Sequence, residues 1–280
     1  MVRSLRRCAA WATRFFPFKS QCYARFIVVV AGLTVVSCGD RTSPTSPSSV
    51  SKSQSSFGVS WMYNGQSWES SGISPECQDP VMFTTPVNLL RVTSVLYPGQ
   101  IRGRWYKPHG GFRFDGPDET GDIVVVAPME STIYRDSRGL DDGEIQYMFD
   151  FINSCGILYR LGHLRDLSPR FQRIAESLPP AVEGDSRTSP VVMGQTVAVG
   201  EKVATAVGFR SGNFFLDWGV YDLRKRNEAS LDPGWLAQHL GEFASYGICW
   251  FDHLSPEDRM TVRSLPPADS YSGAMSDYCR

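Results

Sequence analysis

The chain has 280 residues, a formal net charge of −1 and an apolar share of 42 %, with aromatics at 12 %. That is enough apolar material for one good-sized domain with extensions, or for two small ones. Charge is nearly balanced and no Lys/Arg run lies beyond the N-terminus. No surface is therefore marked for the phosphate contacts that hold nucleic acid.

The N-terminal stretch carries Arg3, Arg6, Arg7, Arg14, Lys19 and Arg25 with no acid, followed by an apolar run from Phe26 to Val36. That run is too short for a bilayer span, which needs about 20 residues, and it suits the apolar region of a secretory signal over residues 1–37. It ends in Val35-Val36-Ser37-Cys38, which resembles the bacterial lipobox; the resemblance implies that Cys38 is lipidated and becomes the mature N-terminus. Gly39 follows where an aspartate retains many lipoproteins in the inner membrane, so an outer-membrane anchor facing the periplasm is expected. Residues 38–56 are dense in Ser, Thr and Pro and cannot bury enough surface to offset their ordering entropy, so they read as a tether. A lead-in of residues 57–97 comes next.

From Asp122 the chain reads as short strands. Ile123 to Pro128 is an apolar run and Ser131 to Asp136 alternates. Ile145, Tyr147, Phe149 and Phe151 share one face at period two, and Ile157 to Leu164 forms a hairpin-like partner. Ser168 as N-cap, Pro169 at the first helical position and the stripe Phe171, Ile174, Ala175 and Leu178 predict a short helix ended by two prolines. Two further β segments cover Gln195 to Phe209 and Asn213 to Leu223. Strands this short and frequent predict a mainly β fold, an antiparallel sandwich or barrel-like sheet with one inserted helix. The last residues, 224–280, predict an α-rich extension, with a helix starting at Asp232-Pro233 and a capping box at Ser255 to Asp258.

Once Cys8, Cys22 and Cys38 are set aside, Cys77, Cys155, Cys249 and Cys279 remain. Four cysteines in an exported chain suggest two disulfides, and three pairings are open. Cys249 with Cys279, closing a C-terminal loop, and Cys77 with Cys155 is the pairing expected; free buried thiols are the alternative.

Only four histidines occur. His239 and His253 read as structural, His239 because it shares a helical stripe with Trp235 and Phe243. His109 and His163 stand in a more informative order of segments. His109-Gly-Gly-Phe-Arg-Phe-Asp115 is followed by Val126-Ala127-Pro128 with Ile133-Tyr134. Tyr159 with Gly162-His163-Leu164 comes next, then Val199-Gly200-Glu201 with Val207-Gly208. This order over residues 98–223 resembles the lysostaphin-type zinc endopeptidases of bacterial cell walls. The resemblance implies a duplicated hybrid β motif.

It also implies that His109 and Asp115 are metal ligands and that His163 is a catalytic histidine. The family spaces the first two ligands four apart, against six here. On the family's last strand, a His-Leu-His-Phe-Glu segment supplies one catalytic and one ligand histidine; here Phe215-Leu216-Asp217 takes that place. Asp217 would thus be a third zinc ligand, which a carboxylate can be at about 2.0–2.2 Å. Phe215 can move no proton, and two carboxylates would weaken the metal's pull on a bound water.

Two functions follow from the resemblance. One is a lipid-anchored zinc metalloendopeptidase directed at peptidoglycan peptides, with activity weak or lost. The other is a non-catalytic protein that uses the groove for a peptide, a glycan or a cell-envelope protein. In the second case His109, Asp115, Asp217 and His163 form a hydrogen-bonded polar cluster, and Trp105, Tyr106, Phe112, Phe114 and Trp218 are the aromatics available for contact, at least half of them expected in the core. A carrier of an acyl or lipid group is a more remote possibility. No G-x-S-x-G, P-loop or G-x-G-x-x-G motif occurs, which leaves serine hydrolase and nucleotide chemistry without support.

Overall fold

The computed structural model describes residues 59–184, 189–190 and 194–280. The expected signal, the lipidation site at Cys38 and the tether lie outside these residues. The fold is mainly β, as the strand pattern predicts. A hairpin of β1 (Trp61–Tyr63) and β2 (Trp68–Ser70) comes first. Then follow β3 (Ser94–Leu96), the short hairpin β4 (Gln100–Arg102) and β5 (Trp105–Lys107), β6 (Gly110–Phe114) and β7 (Val125–Val126). Three long strands, β8 (Ser131–Asp141), β9 (Glu144–Ile152) and β10 (Ile157–Leu167), lead into helix α1 (Pro169–Ala175). After β11 (Ser189–Pro190), β12 (Thr196–Val197), β13 (Lys202–Val207) and β14 (Phe214–Asp222) come two more helices, α2 (Pro233–Gln238) and α3 (Pro256–Ser264).

Ten of the strands form one antiparallel sheet in the order β11-β8-β9-β10-β14-β6-β3, with β12 on β8 and β13 bridging β10 and β7. The sheet curls into a half-barrel. Alternation sorts its side chains onto two faces. Tyr147, Phe149, Phe151, Ile157, Tyr159, Leu161, Phe112, Leu216 and Trp218 are buried in the main core, together with Phe171 and Ile174 of α1. The opposite, concave face carries Arg135, Asp150, Arg160 and Tyr221 at one end. A second core of Trp61, Trp68, Leu158, Tyr221 and Phe243 closes that end. Asp150 is fully buried there, and Arg160 grips it through Nε and Nη2 at 2.6 and 2.8 Å. Arg135 joins Asp150 at 3.3 Å and Glu242 at 2.9 Å.

Residues 224–280 contain the short helices expected, and they also complete the main core. Cys249, Trp250, Phe251, Leu254 and Val262 belong to it, with the Trp250 ring tilted against that of Trp218 at 4.2 Å between centroids. α2 ends at Gln238, so the stripe proposed from Trp235 to Phe243 is not one helical face. Leu240 is exposed, while Phe243 lies in the second core. His239 packs as expected, its ring 4.1 Å from Tyr106 and 4.3 Å from Trp235. Among the described residues no helix is long and apolar enough to cross a membrane.

Both disulfides pair as anticipated, Cys77 with Cys155 and Cys249 with Cys279, at Cα–Cα distances of 5.2 and 4.9 Å. Loop-closure entropy scales with sequence separation. The 78-residue span is therefore worth about 4.5 kcal/mol and the 30-residue span about 3.6 kcal/mol. Urea unfolding of the paired Cys→Ala variants is expected to show the larger loss for Cys77/Cys155, by about 1 kcal/mol.

Candidate functional site

The concave face left uncovered by the second core is a groove of about 1200 Å³. Its floor crosses four strands through Gly139 of β8, Gln146 and Met148 of β9, Gly162 and His163 of β10 and Asp217 of β14, and ends at His109 just before β6. Two features of the backbone bring the polar residues together here.

The first is a bulge in β10. Leu161 pairs with Phe149 and Leu164 pairs with Tyr147, so two residues of β10 face one of β9. Leu161 and Leu164 both remain in the main core, and the inserted pair, Gly162-His163, turns to the groove. In an unbroken strand His163 would share the core-facing side with Leu161. The bulge re-aims it, at the cost of a left-handed backbone at φ 57° in a residue with a Cβ. The carbonyl of His163 accepts from Gly208 N at 2.9 Å.

The second is a set of glycines around Asp217. Its neighbours across the sheet are Gly162 on β10 and Gly111 on β6. A Cβ on Gly111 would sit 2.0 Å from the Leu216 carbonyl, and one on Gly162 would lie 3.3 Å from the Cβ of Asp217. Two residues along β14 on the same face, a Cβ on Gly219 would meet the Cβ of His109 at 3.0 Å. The missing side chains leave room for the carboxylate and for an imidazole folded over it.

The result is a three-residue cluster. His109 Nε2 lies 3.1 Å and His163 Nε2 lies 3.5 Å from the same oxygen, Asp217 Oδ2. The Asp217 and His109 side chains are only 15 % and 14 % exposed. Burial by itself would raise the Asp217 carboxyl. His109 above all, then His163 and Arg102, outweigh it and hold Asp217 well below the usual carboxylate range. His109 is pushed down by burial, against the pull of Asp217 and with help from Arg102 and Lys107. At neutral pH the pair is therefore a neutral imidazole beside an ionised carboxylate. Arg102 also anchors His109 directly, its Nη2 donating to the His109 carbonyl at 2.8 Å.

Of the four site residues expected from the sequence, the structure brings together His109, His163 and Asp217, and it leaves out Asp115. The reason is geometric. His109 and Asp115 flank β6, and six residues of strand separate them by about 20 Å. Asp115 is engaged at the far end, accepting from Arg113 at 3.0 Å and from Thr93 at 3.1 Å. Four positions after His109, where the family spacing puts its aspartate, stands the cation Arg113.

Asp115 is thus corrected from metal ligand to partner of Arg113. Among the described residues no group of three or more His, Cys, Asp or Glu is arranged to hold a metal ion. The donor set does not fit zinc: one expected ligand is absent, and the field of Arg102 at Asp217 opposes a dication. Phe215 packs its ring 4.1 Å from that of His163.

Two further groups were missed by the sequence reading. Gln146 and Arg102 reach this region only through the pairing of β9 with β8 and through the β4–β5 hairpin. No local motif marks either residue. Compared with known proteins, the chain matches no family model, no curated protein and no solved structure. The likeness to lysostaphin-type enzymes therefore rests on segment order alone.

The two shifted groups make the fold acid-labile. Both are lowered, so the unfolded chain binds more protons than the folded one. Stability then falls as pH drops, first below the ordinary histidine value of about 6.5 and again below the carboxyl value of about 4. Thermal or urea unfolding from pH 8 to 4 is expected to show this loss, and His109→Gln is expected to remove its upper part. At pH 7, His109→Ala, which strips a buried carboxylate of its nearest partner, is expected to cost about 3 kcal/mol. Asp217→Asn is expected to cost about 1 kcal/mol.

Proposed function

We propose that this chain is an exported, lipid-anchored protein of the bacterial cell envelope that holds a peptidoglycan fragment in its groove without cleaving it. The observation that carries the reading is the state of Asp217. The resemblance puts it where the family has a metal ligand, but here its carboxylate is already engaged by the imidazoles of His109 and His163 at 3.1 and 3.5 Å and lies in the field of Arg102. A carboxylate satisfied by neighbouring side chains recognises and orients; it does not generate a hydroxide.

Phe215 supports the same conclusion, because it puts an apolar ring where the family mechanism moves a proton. Two disulfides support a compartment outside the cytoplasm. The groove is concave, mostly preformed and lined by a few converging polar groups, as ligand sites are.

The test is co-sedimentation of the purified full chain with insoluble peptidoglycan, followed by assay of the supernatant for released fragments and of the protein for zinc. The expected result is binding that weakens at least about tenfold in Asp217→Ala, no released fragments, and far less than one zinc per chain after dialysis against the metal. Zinc-dependent release of fragments would establish a peptidase instead. Absence of binding would remove the reading altogether.

A further inference from the structure

The groove has one wall unlike its floor. The β4–β5 hairpin turns at Gly103 and Arg104, both left-handed at φ 54° and 75°, which is the two-residue turn that suits a right-twisted hairpin. Alternation along β5 then sends Tyr106 one way and Trp105 and Lys107 the other. Tyr106 enters an aromatic cluster with His239 at 4.1 Å and Trp235 at 5.7 Å. Trp105 and Lys107 line the groove, and Trp105 is 73 % exposed.

This hairpin is held firmly. Gln100 Nε2 donates to the carbonyls of Gly273 and Met275 at 3.2 and 3.0 Å, and Ser272 Oγ donates to the Ile101 carbonyl at 2.6 Å. A large indole on a fixed backbone at the mouth of a cavity is an uncommon use of tryptophan, since so large an apolar surface is ordinarily covered.

A second, independent observation lies on the floor. Gln146 is 7 % exposed and lines the groove; its Nε2 donates to the Gly208 carbonyl at 3.1 Å, while its Oε1 is buried without a partner. His163 Nδ1 is likewise buried without a partner. Buried polar atoms of this kind are costly unless something meets them. Lys107 and Asp141, lining residues without an ion-pair partner among the described residues, have opposite signs, and the Asp217 carboxylate is already engaged by His109 and His163, so no strong excess of one sign is left free in the groove.

A flat aromatic wall, a floor that wants hydrogen-bond partners and no strong excess of free charge together describe a neutral, polyhydroxylated ring with an apolar face. We propose that the groove takes a saccharide, with one pyranose ring stacked on Trp105 and a hydroxyl or acetamido hydrogen donated to Gln146 Oε1. This rests on the reading of the groove as a cell-wall binding site, and it assigns the glycan rather than the peptide as the part recognised.

The experiment uses the full chain and two probes: a tetramer of N-acetylglucosamine and a synthetic cell-wall stem peptide. Binding is read by calorimetry and by tryptophan emission. The expected result is binding of the tetramer with a blue shift in emission. Trp105→Ala, whose exposed site should leave folding intact by circular dichroism, is expected to weaken binding on the order of tenfold or more and to abolish the shift. Trp105→Phe is expected to retain part of the affinity, and Gln146→Leu to weaken it without moving the emission change. Tetramer binding unaltered in Trp105→Ala would overturn the assignment of the wall. Binding of the stem peptide alone would overturn the saccharide inference while leaving the binding groove in place. Binding of neither probe, in a protein that also fails to sediment with peptidoglycan, would overturn both.

Discussion

The site depends on the fact that β10 serves more neighbours than one straight strand can. It pairs with β9 on one side along much of its length. On the other side it pairs with β14 as far as Gly162 and with β13 from Leu164 onward. The change of partner falls at the bulge. An extra residue absorbs the divergence of β14 and β13, and the sheet opens there. The strand gains a fork, a left-handed histidine and a place where the concave face is not filled by its own side chains. Everything polar in the groove is arranged around that opening.

Charge then decides what the opening does. A carboxylate removed from water is tolerated only with close partners. Asp217 has two imidazoles converging on one of its oxygens and a guanidinium field behind them. The glycines at 111, 162 and 219 make this arrangement sterically possible and also restrict it, because a methyl group on Gly111 or Gly219 would collide with backbone or with neighbouring side chains. Asp150 solves the same problem by burying itself completely against two arginines under the second core. The difference in exposure separates a charge sealed inside the fold from one that borders the open groove.

The architecture was largely legible from period-two patterning. Phe149 and Phe151 face the core and Ile157 opens a partner strand, as expected, although Ile145 at the turn end is exposed. α1 begins at Pro169 behind Ser168 and buries Phe171 and Ile174. Three of the four residues singled out for the site meet in space. Asp115 does not, because counting along a strand measures distance, and six residues of extended chain cannot fold back onto one ion. Gln146 and Arg102 could not be read, since Gln146 reaches the groove, and Arg102 reaches His109, through a register or a hairpin that only the assembled sheet defines. Among the aromatics, Phe112, Phe114 and Trp218 are core and Trp105 is not. Composition gives no means of telling these cases apart.

The hairpin that forms one wall of the groove has little of its own to stand on. Its three-residue strands are shorter than an isolated hairpin needs for stability. They are held by the Ser272 hydroxyl and the carbonyls of Gly273 and Met275, up to 175 positions later in the chain, in a segment tied back to Cys249 through Cys279. Synthesis runs from the N-terminus, so the floor strands can pair well before this segment exists. The wall bearing Trp105 therefore cannot be completed until the end of the chain is in place, and the second disulfide ties that end to the core.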